Sequence, residues 1–318
     1  MKTSATGQGM APPSGPDKTA MGAAYAVTAF VLWGLLPVYW KALLAVPPVE
    51  IFCHRVVWSL LFTALIITLQ KRWGEIRAIT VCPKILGMLL ISCTLVCGNW
   101  LLYIWAVNTG HVLETSLGYY INPLVNALLG VIFLKDRLPR LQIAAIGLAF
   151  LGVLNLLWGY GHMPWVALGL AFSFAFYGLV RKVVPAAPLP GLFFETLYAG
   201  IPSIFILSYW QFNGNAALGH LGAQTDLLLI GAGVVTTAPL LAFAGAAKKM
   251  SLTTLGFFQY LSPSLAFLLG VFVYHETFTS THLVTFLLIW TGIALYSIAS
   301  LKAHRAVSKA AHATTARS

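Results

Sequence analysis

Charge is what this sequence has least of. Asp, Glu, Lys and Arg make up 8% of its 318 residues, against about 25% in an ordinary soluble domain. So few charges cannot cover a water-exposed globule of this size, and that class is excluded. A hydrophobic share of 59% and a mean hydropathy of +0.84 exclude intrinsic disorder as well, because disorder requires low hydrophobicity. Cysteine is scarce: Cys53, Cys82, Cys93 and Cys97. No Cys/His grouping has zinc spacing and no disulfide framework is expected; these cysteines read as small apolar residues. Neither a P-loop nor an H-E-x-x-H segment occurs, so direct ATP drive and an intramembrane metalloprotease are set aside. No enzyme activity, metal or cofactor is expected. Strand-type alternation is missing, which sets aside a β-barrel.

What is present is long apolar runs. They fall at 19–40, 50–70, 85–107, 112–134, 141–158, 163–180, 191–210, 225–247, 252–274 and 282–301. Each is near the roughly 20 residues that cross a bilayer as a helix, and in hydrocarbon a helix is the form left once barrels are excluded. The fold class expected is therefore all-α integral membrane with ten transmembrane helices. Residues 1–18 are rich in Gly, Pro, Ser and Thr and read as a disordered tail. The run 19–40 is long enough to span and no small-residue cleavage site follows it, so a span rather than a leader is expected.

The net charge of +11 in a soluble protein would point to nucleic acid. Its placement points to topology instead. With the N-terminus in the cytoplasm, all but two of the 19 lysines and arginines fall in the tails and inner loops. The outer loops 108–111, 159–162, 211–224 and 275–281 carry none. The positive-inside rule then puts both termini in the cytoplasm, and no nucleic-acid partner is expected. The two exceptions are Lys41 and Arg55, toward the outer side.

The chain also matches itself at an offset of about 140 residues. Residues 106–138 meet 246–278 without a gap: Tyr120 falls on Tyr260, Pro123 on Pro263, Leu128-Leu129-Gly130-Val131 on Leu268-Leu269-Gly270-Val271, and Asp136 on Glu276. Farther on, Gly152 meets Gly292, and one residue off that offset Lys41 meets Lys182 and His54 meets Glu195. The expected organisation is a repeat over 19–160, a second over 161–301, and a basic cytoplasmic tail over 302–318. Five spans per half is odd, so the halves enter the membrane in opposite senses. Inverted repeats are the signature of secondary transporters.

An ionisable residue within a span costs about 2.5–3.5 kcal/mol on insertion scales and usually faces a cavity. The candidates are Lys41, Glu50, His54, Arg55, Glu114 and Glu195. Lys41 and Glu50 have an alternative role, reaching the headgroups. Arg55 offers a fixed donor fork that suits a carboxylate or phosphate, and His54 can titrate near neutrality. Glu114, Gly118, Asn122 and Asn126 form a polar stripe at spacings of four, with Pro123 breaking the backbone ladder beside it. The two asparagines could equally be packing glue between helices. Asn99, Trp105, Trp33, Tyr177, Gln259 and Tyr260 are candidates for the wall of a cavity; aromatics near span ends otherwise form the interfacial belt.

Several segments carry a family resemblance. Trp33-Gly34 with Lys41 following, Arg55, and the acidic residues Asp136 and Glu276 resemble the EamA-type members of the drug/metabolite transporter superfamily. HRVVWS (54–59), GNWLLYIWAVN (98–108), LETSLGYYINPLVN (113–126), ALGLAFSFAFYGLVRK (167–182) and TTLGFFQYLSPSLAFLL (253–269) resemble its RarD subgroup. The resemblance implies ten helices, cytoplasmic termini, two EamA repeats and a central cavity. It also implies movement of small metabolites or drugs, frequently as export. The expectation is thus a secondary transporter working by alternating access on a small, amino-acid-like solute. Substrate-binding residues would be Trp33, Lys41, His54, Arg55, Asn99, Trp105, Asn122, Tyr177, Gln259 and Tyr260. Coupling would involve His54, Glu114 or Glu195, and hinges would lie at Pro123 and Pro263. The partners are the solute and the lipid bilayer, with the oligomeric state open. Other readings are a nucleoside- or cofactor-like metabolite, a drug, a passive channel, or a sensor without transport.

Overall fold

The structure, a computed structural model, describes residues 16–108, 112–136, 138–158, 163–273 and 280–315, though not every side chain within those ranges. Among them, all regular structure is helical. The elements are α1 (Pro16–Lys41), α2 (Pro48–Leu69), α3 (Trp73–Thr80), α4 (Pro83–Asn108), α5 (Val112–Leu134) and α6 (Arg140–Trp158). They continue as α7 (Trp165–Val183), α8 (Pro188–Phe212), α9 (Ala223–Lys249), α10 (Leu252–Gln259), α11 (Leu261–Phe272) and α12 (Ser280–Thr315). Seven of them, α1, α2, α4, α5, α7, α8 and α9, contain a stretch long and apolar enough to cross a membrane. Arg140–Asn155 in α6 and Leu283–Ala299 in α12 are shorter apolar stretches. The boundaries follow local chemistry. Pro48 and Pro188 open α2 and α8, where a missing N–H costs nothing.

Large apolar side chains cover the outside: Leu61, Leu65, Ile132, Phe133, Ile143 and Phe205 are all exposed. Polar groups turn inward, with Asn99, Asn122, Asn126, Arg181, Glu195 and Gln259 buried. This inversion suits lipid and would aggregate in water. The chain is a multi-pass membrane protein.

Three features depart from the reading of the sequence. The loop after α2 holds the short helix α3, and Arg72, just before it, donates to both oxygens of Glu75 at 2.6 and 2.8 Å. This pair, outside the spans, holds the Glu75 carboxyl below its ordinary range through the hydrogen bond from Arg72. The ninth apolar run breaks at Tyr260 into α10 and α11. Pro263 explains the break: it cannot donate to Gln259, and in the first turn of α11 it has no need to. Finally, α1 already begins at Pro16 and α12 runs on to Thr315, into segments read as tails. Residues 1–15 lie outside the described residues.

The helices pack in a definite pattern: α6 on α12, α2 on α8, α5 on α10, α5 on α7, α1 on α10 and α11, α1 on α9, α4 on α7, α2 on α9, and α4 on α8. The α6–α12 contact is close because of two glycines. A Cβ on Gly152 would stand 3.2 Å from the Thr285 carbonyl oxygen, and one on Gly292 would stand 2.8 Å from that of Ala145.

Candidate functional site

α2 sends two polar stripes inward. Along one, Arg55 Nε donates to Thr236 Oγ1 at 3.1 Å and Ser59 Oγ donates to the Gly233 carbonyl at 3.1 Å, so this face is fastened to α9. The Arg55 guanidinium lies between two indoles, 4.7 Å from the Trp40 ring centre and 4.5 Å from that of Trp100. Stacking of this kind keeps its plane fixed and its charge weakly hydrated. Among the described residues Arg55 makes no ion pair.

Along the second stripe stand Glu50, His54 and Trp58. Glu50 is fully buried and accepts from the Ala217 backbone N–H at 2.6 Å. It therefore closes the loop after α8 and does not reach for headgroups. His54 Nδ1 accepts from Trp58 Nε1 at 3.3 Å, and its Nε2 lies 3.8 Å from Glu50 Oε1. Lys41 closes α1 and Glu114 stands in the first turn of α5, but the side chains of both lie outside the described residues.

A narrow cavity lies between α2, α4, α8 and α9. Val56, Val96, Cys97, Trp100, Leu192, Glu195, Thr196, Ala199 and Leu240 line it. Its free volume of ≈ 10 Å³ takes about one water, so the bundle is packed shut here. Trp100 joins this cavity to Arg55. The larger hollow, ≈ 540 Å³, opens between α6 and α12 beside Leu151, Asn155, Trp158 and Thr281. None of the site residues named from the sequence lines it.

The asparagines tie α4, α5, α7 and α10 together. Asn99 donates to the Leu170 carbonyl and to Ser173 Oγ, both at 2.9 Å. Asn122 donates to the Ala171 carbonyl. Asn126 donates to Asn122 Oδ1 at 3.0 Å and to Gln259 Oε1 at 2.9 Å, while its own Oδ1 has no partner among the described residues. Pro123 sits in the same stretch of α5, which stays helical through it. Next to this network is an aromatic cluster. Trp33 of α1 meets Phe174 of α7 at 5.5 Å and Phe243 of α9 at 5.6 Å, and Tyr177 stacks on Phe243 at 5.7 Å. Tyr260 is fully buried at the α10–α11 break, its hydroxyl without a partner among the described residues.

The structure thus gathers Arg55 and Glu195 about one cavity, with His54 on the neighbouring stripe of α2. Asn99, Asn122, Gln259, Trp33 and Tyr177 fall in an adjoining network. Trp105 stands apart, exposed and 5.2 Å from Trp165. Reading the sequence missed Trp40, Trp100 as a partner of Arg55, and Arg181. Arg181 was counted as a basic residue marking the inner side. It is fully buried instead, with its Nη1 3.4 Å from Glu195 Oε1.

Known proteins share this frame. The model of the EamA-like transporter family matches twice, at residues 20–158 and 163–298. A protein of Vibrio cholerae serotype O1, described as an uncharacterized transporter, is 47% identical over 286 residues, which span 90% of this chain and 94% of that one. Protein RarD of Salmonella typhi is 45% identical over 292 residues, 91% of this chain and 98% of that one. A solved crystal structure superposes with a TM-score of 0.66 at 17% identity, covering 88% of this chain and 98% of the other, and speaks for the fold alone. Two matches to one family model, and this identity over most of the length, show that the chain belongs to the EamA-like transporter family, among its RarD proteins.

Proposed function

We propose that this membrane transporter is a ten-span carrier of a small solute bearing a carboxylate, most simply an amino acid, and that it works by alternating access between two inverted five-span repeats. Arg55 carries this reading. A guanidinium held between two indoles beside the central cavity, with no ion pair among the described residues, is a ready partner for a solute anion. Asn99, Asn122, Gln259 and Tyr177 would orient the rest of the solute, with Trp33 on the wall and Tyr260 beside the break. Lys41 would add positive charge at the outer mouth, and Pro123 and Pro263 would be where α5 and the α10–α11 pair flex. Placement of Lys and Arg supports cytoplasmic termini, and likeness to bacterial RarD proteins supports the inner membrane.

The two-repeat plan is supported by packing. Exchange α1 with α7, α2 with α8, α4 with α9, α5 with the α10–α11 pair, and α6 with α12. The pairs α1–α9 and α4–α7 then trade places, as do α2–α9 with α4–α8 and α5–α7 with α1–α11, while α2–α8, α5–α10 and α6–α12 map onto themselves. The glycine contacts obey the same exchange, Gly152 on Thr285 becoming Gly292 on Ala145.

The test is thermal stabilisation of the purified protein across a panel of amino acids, dicarboxylates, nucleosides and antibiotics, repeated on Arg55→Ala and Arg55→Lys. Carboxylate-bearing solutes should stabilise the natural protein, and Arg55→Ala should weaken their apparent affinity about tenfold or more. Arg55→Lys should not restore it, because an ammonium cannot fill the slot between two indoles. A solute that binds Arg55→Ala as tightly as the natural protein removes the site assignment. Saturable counterflow in proteoliposomes separates a carrier from a channel.

A further inference from the structure

We propose that Glu195, with Arg181, is a proton-binding site that couples the transport reaction to protons. This rests on the carrier reading above and names the coupling ion for it. The pair is built into the fold. Arg181, from the last turn of α7, is wholly enclosed, and its Nη2 donates to the Pro188 carbonyl at 3.0 Å. The room for its head comes from Gly191, one turn before Glu195 on α8: a Cβ there would fall 2.1 Å from Arg181 Nη1. α8 has given up a side chain to admit a charge.

A buried pair serving only to hold helices together would be bidentate, with every donor and acceptor used. This one is incomplete. Glu195 Oε1 takes Ser92 Oγ and the 3.4 Å contact from Arg181, while Oε2 and Arg181 Nε are buried and have no partner among the described residues. Glu195 also lines the cavity that reaches Trp100 and, through it, Arg55. The vacant oxygen is the place for a proton. When the cavity opens to one side, water delivers H⁺ to Oε2 and the carboxylate becomes a neutral acid. The Arg181 contact then loses its charge attraction. When the cavity opens to the other side, the proton leaves to water and the ion pair re-forms. Nothing is oxidised or reduced, and one proton crosses per cycle.

Other groups face the pair. Tyr177 comes from α7, and Ser92, Cys93 and Cys97 from α4. From α2 come Arg55 beyond Cys97, and Cys53, which bonds Ser203 farther along α8. Lys248 of α9 acts on Arg181. The first repeat has its own buried pair, Glu50 and His54, at the matching place on α2. Glu195 stands near the start of α8 beside the end of α9, whereas Glu50 holds the loop that joins the end of α8 to the start of α9. The two pairs therefore lie toward opposite ends of the bundle.

Protons and N-ethylmaleimide are sufficient probes, with Cys53, Cys82 and Cys93 replaced by serine so that Cys97 on the cavity wall reports opening. The alkylation rate of Cys97 in the full-length protein should change about tenfold across a single pH midpoint, the span of one pH unit on either side of a one-proton transition. Glu195→Gln should abolish that midpoint and Glu195→Asp should retain one. Infrared difference spectra on a pH jump should show a protonated carboxyl band that Glu195→Gln lacks. An unchanged midpoint or band in Glu195→Gln overturns the proposal. If Glu195→Gln does not fold, Ser92→Ala decides: a midpoint displaced by about one pH unit supports it, and an unmoved one overturns it. Solute binding by the Arg55 assay is read separately, so loss of one result leaves the other standing.

Discussion

A methyl group on Gly191 would collide with the head of Arg181, at 2.1 Å, and that head has nowhere to withdraw because its residue is wholly buried. Gly191→Ala should therefore destabilise the purified protein by about 1–3 kcal/mol, the range for overfilled interiors, seen as a lowered melting temperature. Gly87→Ala is the control. Its added Cβ meets nothing within 4 Å, so the better helix propensity of alanine, about 1 kcal/mol, should show through. At this scale the sequence was partly legible. Arg55 stood out because, with the N-terminus read as cytoplasmic, it is an exception to the charge rule. Arg181 did not, because on that reading it obeys the rule, and nothing local tells that Glu195 and Gly191 wait on the next helix. Ser92, 103 residues from Glu195, is beyond any local reading.

Among elements, the start of α10 is held by its own cap, Ser251, and by a residue that follows another helix. Asp136, just past α5, accepts from Thr253 Oγ1 at 3.1 Å, and Ser251 Oγ accepts from the Thr254 N–H at 3.1 Å. Asp136→Ala should cost about 0.5–2 kcal/mol, as loss of a helix cap does, and amide exchange at Thr253–Gly256 should quicken before that of α9. Seven of the ten apolar runs coincide with helices long and apolar enough to cross a membrane, and these were legible because hydrocarbon strips charge from spans. The break at Tyr260 was half legible. Pro263 marks it, but Pro123 leaves α5 unbroken. Around Pro123, α5 is packed against α7 and α10. Helix α3 was missed because its eight residues are too few and too polar to stand out among apolar runs.

For the whole molecule, the exchange of halves makes a sharp prediction. Gly152→Leu and Gly292→Leu press on matching carbonyls, at 3.2 and 2.8 Å from the added Cβ. They should cost similar amounts, about 1–3 kcal/mol each, by the shift in melting temperature. A large cost at one glycine and none at the other would contradict the two-repeat reading. A last consequence follows from the lysines at the ends of α7 and α9. Lys182 Nζ donates to the carbonyls of Ala247 and Met250, and Lys248 Nζ donates to those of Lys182 and Val184. Each side chain is thus riveted to the frayed end of the other's rod. Two rods joined in this crosswise manner resist sliding past each other, and because Lys248 also holds Val184, any change of angle between α7 and α8 is left to residues 185–187.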